Sequence, residues 1–116
     1  MNARMIESYS FGNITIDGKR YTSDVIIYPE RVDDKWWRRQ GHNLAAEDLE
    51  QVLRYHPEVL VIGRGKPGLM KVSDELAAKL RGLGIDVFVA PTAKAVRIYN
   101  EQCPQRKTIA ALHLSC

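Results

Sequence analysis

The chain has 116 residues, 45% of them hydrophobic and 27% charged, with a formal net charge of +3. That length suits one domain spanning residues 1–116, with a core that needs no disulfide, and the composition excludes a disordered chain. A pI of about 9.0 is only mildly basic, short of the clustered positive charge of a dedicated nucleic-acid binder.

No run approaches the roughly eighteen apolar residues of a membrane span. Met1-Asn2-Ala3-Arg4 leads toward a strand rather than into a signal core. The two cysteines, Cys103 and Cys116, form no CxxC pair and read as reduced thiols. A cytoplasmic location is therefore the expectation.

The first third of the chain reads as β structure. Ile14 and Ile16, then Asp17-Gly18, then Tyr21 mark a hairpin, because Asp-Gly supplies the positive φ angles of a tight turn. Asp24-Val25-Ile26-Ile27-Tyr28 is a β-branched run closed by Pro29 and is expected as a central strand. Residues 32–38 are expected as a further strand or as an extended arm bearing Trp36 and Trp37.

The period then changes. Ala45, Leu49, Val52 and Leu53 share one helical face, with Glu47 and Asp48 near its start and Pro57 as its stop. Val59-Leu60-Val61-Ile62, ending at Gly63, is the unbroken apolar run of a strand buried on both faces. Ser73 is placed to cap a second helix in which Leu76, Leu80 and Leu83 align, ended by Gly82 or Gly84. Residues 85–89 return to strand. Thr92 is expected to cap a third helix with Val96 and Tyr99 on one face and Cys103 a turn further on. Residues 108–114 close the chain as a strand. Such alternation predicts an α/β fold, a single-domain layered sandwich with a mostly parallel central sheet, flanking helices and an N-terminal β-hairpin.

The order and spacing of several short motifs resemble the adipogenesis-associated Mth-type domain family. These are Phe11-Gly12, the run Ser23 to Pro29, and Trp36-Trp37-Arg38-Arg39-Gln40-Gly41-His42. Glu47-Asp48-Leu49, Val61-Ile62-Gly63-Arg64-Gly65, Pro91-Thr92, Ala95, Tyr99-Asn100 and the terminal His113-Leu114-Ser115-Cys116 continue the likeness over nearly the whole chain. The resemblance implies a small α/β protein of a family mostly without an assigned activity. Its members include a mitochondrial assembly factor for respiratory complex I and a vertebrate protein linked to adipocyte differentiation, which suggests work through protein partners. It supplies no catalytic set to carry over.

Gly63-Arg64-Gly65-Lys66-Pro67-Gly68 is a formal GxGxxG after a buried strand, and Asp86 sits near the spacing of a ribose-binding acid. A dinucleotide fingerprint needs its helix at once, however, and here Leu69 to Val72 intervene before Ser73. The simplest role is a tight reversal of the chain. A softer alternative uses the carboxyl ends of neighbouring strands, where an anionic ligand would meet Gly63, Arg64, Gly65, Lys66 and Gly68 on one side and the helix start at Thr92 on the other.

Trp36-Trp37-Arg38-Arg39 joins aromatics to cations, a pairing suited to stacking bases and gripping phosphates, and equally to the anchors of protein interfaces. On extended chain neighbours face opposite ways, so one Trp-Arg pair is expected inward as packing and the other outward as an anchor. The partner-binding candidates are Trp36, Trp37, Arg38, Arg39 and His42. His42, His56, His113 and the cysteines show no zinc-site spacing. His113 is expected as a satisfied core residue. Cys116 lies beside its own carboxylate, which disfavours a thiolate, and the acids Asp24, Asp33, Asp34, Glu47 and Asp48 are expected mostly on turns, helix starts or solvated faces.

The reading is a non-catalytic binding or assembly factor acting through a protein partner, as a monomer or weak homo-oligomer. No nucleic acid, membrane, metal or cofactor is expected. The alternative is a small anionic-ligand protein or enzyme with its site over Gly63–Gly68 and Thr92.

Overall fold

The computed structural model describes residues 5–116. Strands β1 (Ile6–Ser10), β2 (Asn13–Ile16) and β3 (Lys19–Tyr21) form a three-stranded antiparallel sheet. Asp17 and Gly18 turn β2 into β3 with φ of 49° and 80°, the left-handed pair that a two-residue hairpin requires.

A second sheet has the order β5-β4-β8-β6-β7, built from β4 (Val25–Ile27), β5 (Val32–Asp33), β6 (Val59–Arg64), β7 (Asp86–Ala90) and β8 (Thr108–His113). It is mixed rather than mostly parallel. β6 runs parallel to both β7 and β8, whereas β4 is antiparallel to β8 and to β5. The helical crossovers enforce parallel pairing only from β6 onward. β4 arrives from the hairpin region with no such constraint, and β8 inserts between it and β6.

A 3-10 turn, Ala46–Leu49, runs into the short helix α1 (Glu50–Arg54). Helix α2 (Asp74–Gly82) starts at Ser73, whose hydroxyl accepts from the Leu76 N–H at 3.0 Å. Leu76 and Leu80 are buried, but Leu83 lies just past the helix and is exposed, so it leaves the apolar stripe expected for it. Helix α3 (Thr92–Gln102) buries Ala95 and Tyr99, with Cys103 packed behind them.

The five-stranded sheet separates two cores. Alternation along β6 sends Leu60 and Ile62 to the side that holds Leu49, Val52, Leu76 and Leu80, and Val59 and Val61 to the side of α3. Ile6, Ile14 and Ile16 of the small sheet close that second core. Asn100 stitches β1 to α3, accepting from the Ile6 N–H at 3.0 Å and donating to the Ile6 carbonyl at 2.8 Å. No helix among the described residues is long and apolar enough to cross a membrane.

Candidate functional site

Past β5 the chain runs as an extended arm across the sheet end, and it shows the alternation of extended backbone. Trp36 and Arg38 are buried, while Trp37 is 75% exposed and Arg39 is exposed. The Trp36 indole donates to the Asp48 carbonyl at 3.0 Å. Arg38 lies over the Trp36 ring, its guanidinium carbon 4.6 Å from the centroid, and its Nη2 donates to the Gly41 carbonyl at 3.1 Å. Among the described residues, the buried Nε and Nη1 atoms of Arg38 have no hydrogen-bond partners, and the ring face supplies part of their compensation.

The same Nη2 pairs with Asp24 Oδ2 at 2.8 Å. Asp24, read as the first residue of the strand run Asp24–Tyr28, sits at the foot of β4, largely withdrawn from water against the arm. The antiparallel register opposes Val25 to Leu112, which brings Asp24 beside His113. His113 Nδ1 lies 2.8 Å from Asp24 Oδ2 and 3.1 Å from Arg38 Nη2. Arg38 has only donors and the carboxylate only acceptors, so the Nδ1 proton belongs on the Asp24 side. The Leu114 N–H adds a third donor to Asp24, at 2.8 Å. Burial by itself would raise the Asp24 carboxyl, but the bonds from His113, Leu114 and Arg38 together hold it below its ordinary value. His113 is buried as expected, yet among the described residues its Nε2 has no partner, so it is not a fully satisfied core group.

His113 also joins the arm to the glycine loop. Its carbonyl accepts the Thr92 hydroxyl at 2.6 Å, and Thr92 Oγ1 in turn accepts the Gly65 N–H at 2.8 Å. Thr92 therefore does not cap α3. Pro91 holds the cap position, and the hydroxyl is drawn instead to the His113 carbonyl of β8 and the Gly65 N–H just past β6. A Cβ on Gly63 would lie 2.7 Å from Thr92 Oγ1, and one on Gly65 would run into the Ser115 carbonyl and the His113 ring edge. Gly65 and Gly68 adopt φ of +95° and +115°. The Lys66 N–H donates to the Ser115 carbonyl at 2.9 Å, and Arg64 Nε to the Met70 carbonyl at 2.8 Å. Several of the loop's polar groups thus bond within the chain, and no helix follows until Asp74.

His42 sets its ring edge-on to His113, centroids 5.8 Å apart, and its carbonyl accepts the Lys71 N–H at 2.8 Å. Arg39 stays at the surface on Glu47, 3.0 Å away. The two predicted clusters, Trp36–His42 and Gly63–Gly68 with Thr92, therefore meet on His113. Sequence reasoning missed Asp24 and His113 as the link. The one available signal was that an inward Arg on the arm demands a buried acid.

Among the described residues, no group of three or more His, Cys, Asp or Glu is placed to hold a metal. The Cys103 thiol is buried, and burial pushes it up, against a smaller opposing bond from Tyr99. That is the environment of an inert thiol.

Fold and site together define a small α/β domain with a mixed five-stranded sheet and a tethered, tryptophan-bearing arm at one sheet end. Residues 6–113 match the family described as Protein of unknown function (DUF498/DUF598), and the chain belongs to it. It is similar to a conserved hypothetical protein from Pyrococcus horikoshii OT3, at 29% identity and a TM-score of 0.80, covering 96% of this chain and 98% of that one. The protein MT938 is 28% identical with a TM-score of 0.78, covering 98% and 100%. A Mth938-like domain of Bordetella pertussis shares the fold at 21% identity, with a TM-score of 0.74 and coverage of 96% and 85%.

Proposed function

We propose that this protein is a non-catalytic binding or assembly factor that docks a protein partner on the Trp36–His42 arm, with Trp37 as the anchor. The observation that carries the reading is the contrast within three residues. Trp36 and Arg38 are buried and bonded, while the Trp37 ring between them stands 75% exposed. An exposed tryptophan on a backbone held from both sides loses little freedom on binding, which is the physics of an interface hot spot. The alternative, an anionic ligand over the Gly63–Gly68 loop and Thr92, draws less support. The Gly65 and Lys66 N–H groups and the Thr92 hydroxyl already bond inside the chain.

The test is site-specific photocrosslinking of the whole chain in extract of its source cells. A photoreactive phenylalanine analogue at Trp37 should give a discrete protein adduct, and the same analogue at exposed Leu83 should not. Absence of an adduct at Trp37, or the same ladder at both positions, would defeat the proposal.

A further inference from the structure

Resting on the reading of the arm as a docking element, we infer that the cavity beside Trp37 receives a lysine or arginine side chain of the partner. The cavity holds about 210 Å³ and has an aromatic wall of Tyr28, Trp36 and Trp37. Its remaining lining carries four carboxylates, Asp33, Glu47, Asp48 and Glu50, against the single ammonium of Lys35. In a chain of net charge +3, this is a local reversal of sign.

The four acids are not equally committed. Asp48 holds the backbone in place, accepting from the Ala45 N–H at 2.9 Å and the Arg39 N–H at 3.2 Å. Asp33 Oδ1 accepts a local N–H, that of Lys35 at 3.0 Å. Glu47 and Glu50 pair with Arg39 and Arg54 in solvent-exposed contacts of 3.0 and 3.4 Å, which a competing cation displaces easily. Tyr28 is fully buried. Arg31 lies across its ring face at 4.3 Å.

A basic side chain satisfies these features together. Its stem packs on the Trp37 ring, the best of the cation–π acceptors, while its head meets the carboxylates. An acidic or phosphate-bearing group would meet four like charges, and a purely apolar one would strip water from them without return.

The experiment is a nitrogen-edited NMR titration of the whole chain with N-acetyl-lysine amide and N-acetyl-arginine amide. The uncharged control is N-acetyl-norleucine amide. The basic probes should shift the Trp37 indole N–H and the amides of Asp33 and residues 47–50 saturably, and norleucine amide should not. An Asp33→Asn, Glu50→Gln variant should weaken the response at least fivefold while the Trp36 indole resonance, bonded to Asp48, stays in place. Equal shifts from norleucine amide, or no saturable shift from either basic probe, overturn the inference. Failure of the probes beside an intact Trp37 adduct removes this inference alone. Absence of that adduct removes the docking reading and the partner assignment with it.

Discussion

Asp24 and Arg38 meet at 2.8 Å as an ion pair largely withdrawn from water, their side chains 18% and 5% exposed. The pair fastens the arm to the sheet end, since Asp24 belongs to the approach to β4 and Arg38 to the middle of the arm. Arg38→Met keeps an unbranched stem on Trp36 but removes the cation. It should cost about 3 kcal/mol, because the remaining partners of Asp24 are His113 and one backbone N–H. Arg38→Lys should recover only part of that, as a single ammonium cannot serve Asp24, the Gly41 carbonyl and the Trp36 ring at once. Urea unfolding at constant slope measures both, and an unchanged Arg38→Met midpoint would show that the pair is not the tether.

The depressed Asp24 carboxyl gives this lock a pH dependence of definite sign. A carboxyl held below its ordinary 3.8 contributes stability that is fully present above that value. The contribution is lost as pH falls through the lower, folded-state value. Stability should therefore fall in acid as pH drops below the ordinary 3.8 and through the lower folded-state value, more steeply in the natural protein than in Asp24→Asn. Unfolding free energies between pH 6 and 2 provide the comparison. Parallel curves would mean that Asp24 does not titrate differently on folding.

Gly65 and Gly68 both have positive φ, but their surroundings differ. Around Gly68 a Cβ would make ordinary contact with Pro91 at 3.6 Å, so Gly68→Ala should cost only backbone strain, about 1–2 kcal/mol. Gly65→Ala adds a collision with the Ser115 carbonyl and the His113 ring and should cost about 1–3 kcal/mol more. Thermal melts of the two variants rank them, and equal losses would argue against a tightly packed loop.

Thr92→Val preserves shape while deleting the hydroxyl that bridges Gly65 and His113. Two buried backbone groups then lose a partner, at a cost of about 1–3 kcal/mol, whereas Thr92→Ser should lose less. Hydrogen exchange supplies a second readout. The Gly65 amide should exchange faster in Thr92→Val and stay protected in Thr92→Ser.

The two tryptophans should separate cleanly. Trp37→Ala removes an exposed ring and should change stability by no more than about 0.5 kcal/mol, whereas Trp36→Ala should cost about 3–5 kcal/mol. Emission should also divide, with the Trp37→Phe protein keeping the blue-shifted band of the buried indole. A large stability loss in Trp37→Ala would make that ring structural and weaken its assignment as an anchor.

Much of this was legible along the chain. Asp17-Gly18 announced its hairpin, Ser73 its helix start, and the apolar run Val59 to Ile62 a strand buried on both faces, because each depends on interactions within a few residues. The inward-outward alternation of Trp36-Trp37-Arg38-Arg39 follows from extended geometry in the same way. Thr92 shows where such reasoning ends. By local rules it is a capping residue, but its hydroxyl bridges the buried Gly65 N–H and the His113 carbonyl instead.

The sequence by itself determined the α/β class, the places of the main elements, and which of the two tryptophans and two arginines share a face. The tertiary structure alone decided that the sheet is mixed, that β4 pairs with β8, and that Asp24, Arg38 and His113 converge. The physical reason is range. Periodicity and turn chemistry act over a turn of helix or a few residues of strand, whereas Asp24 and His113 are 89 positions apart and Arg38 and His113 75. Their meeting follows from strand register, which is set when the sheet packs its buried faces into the core.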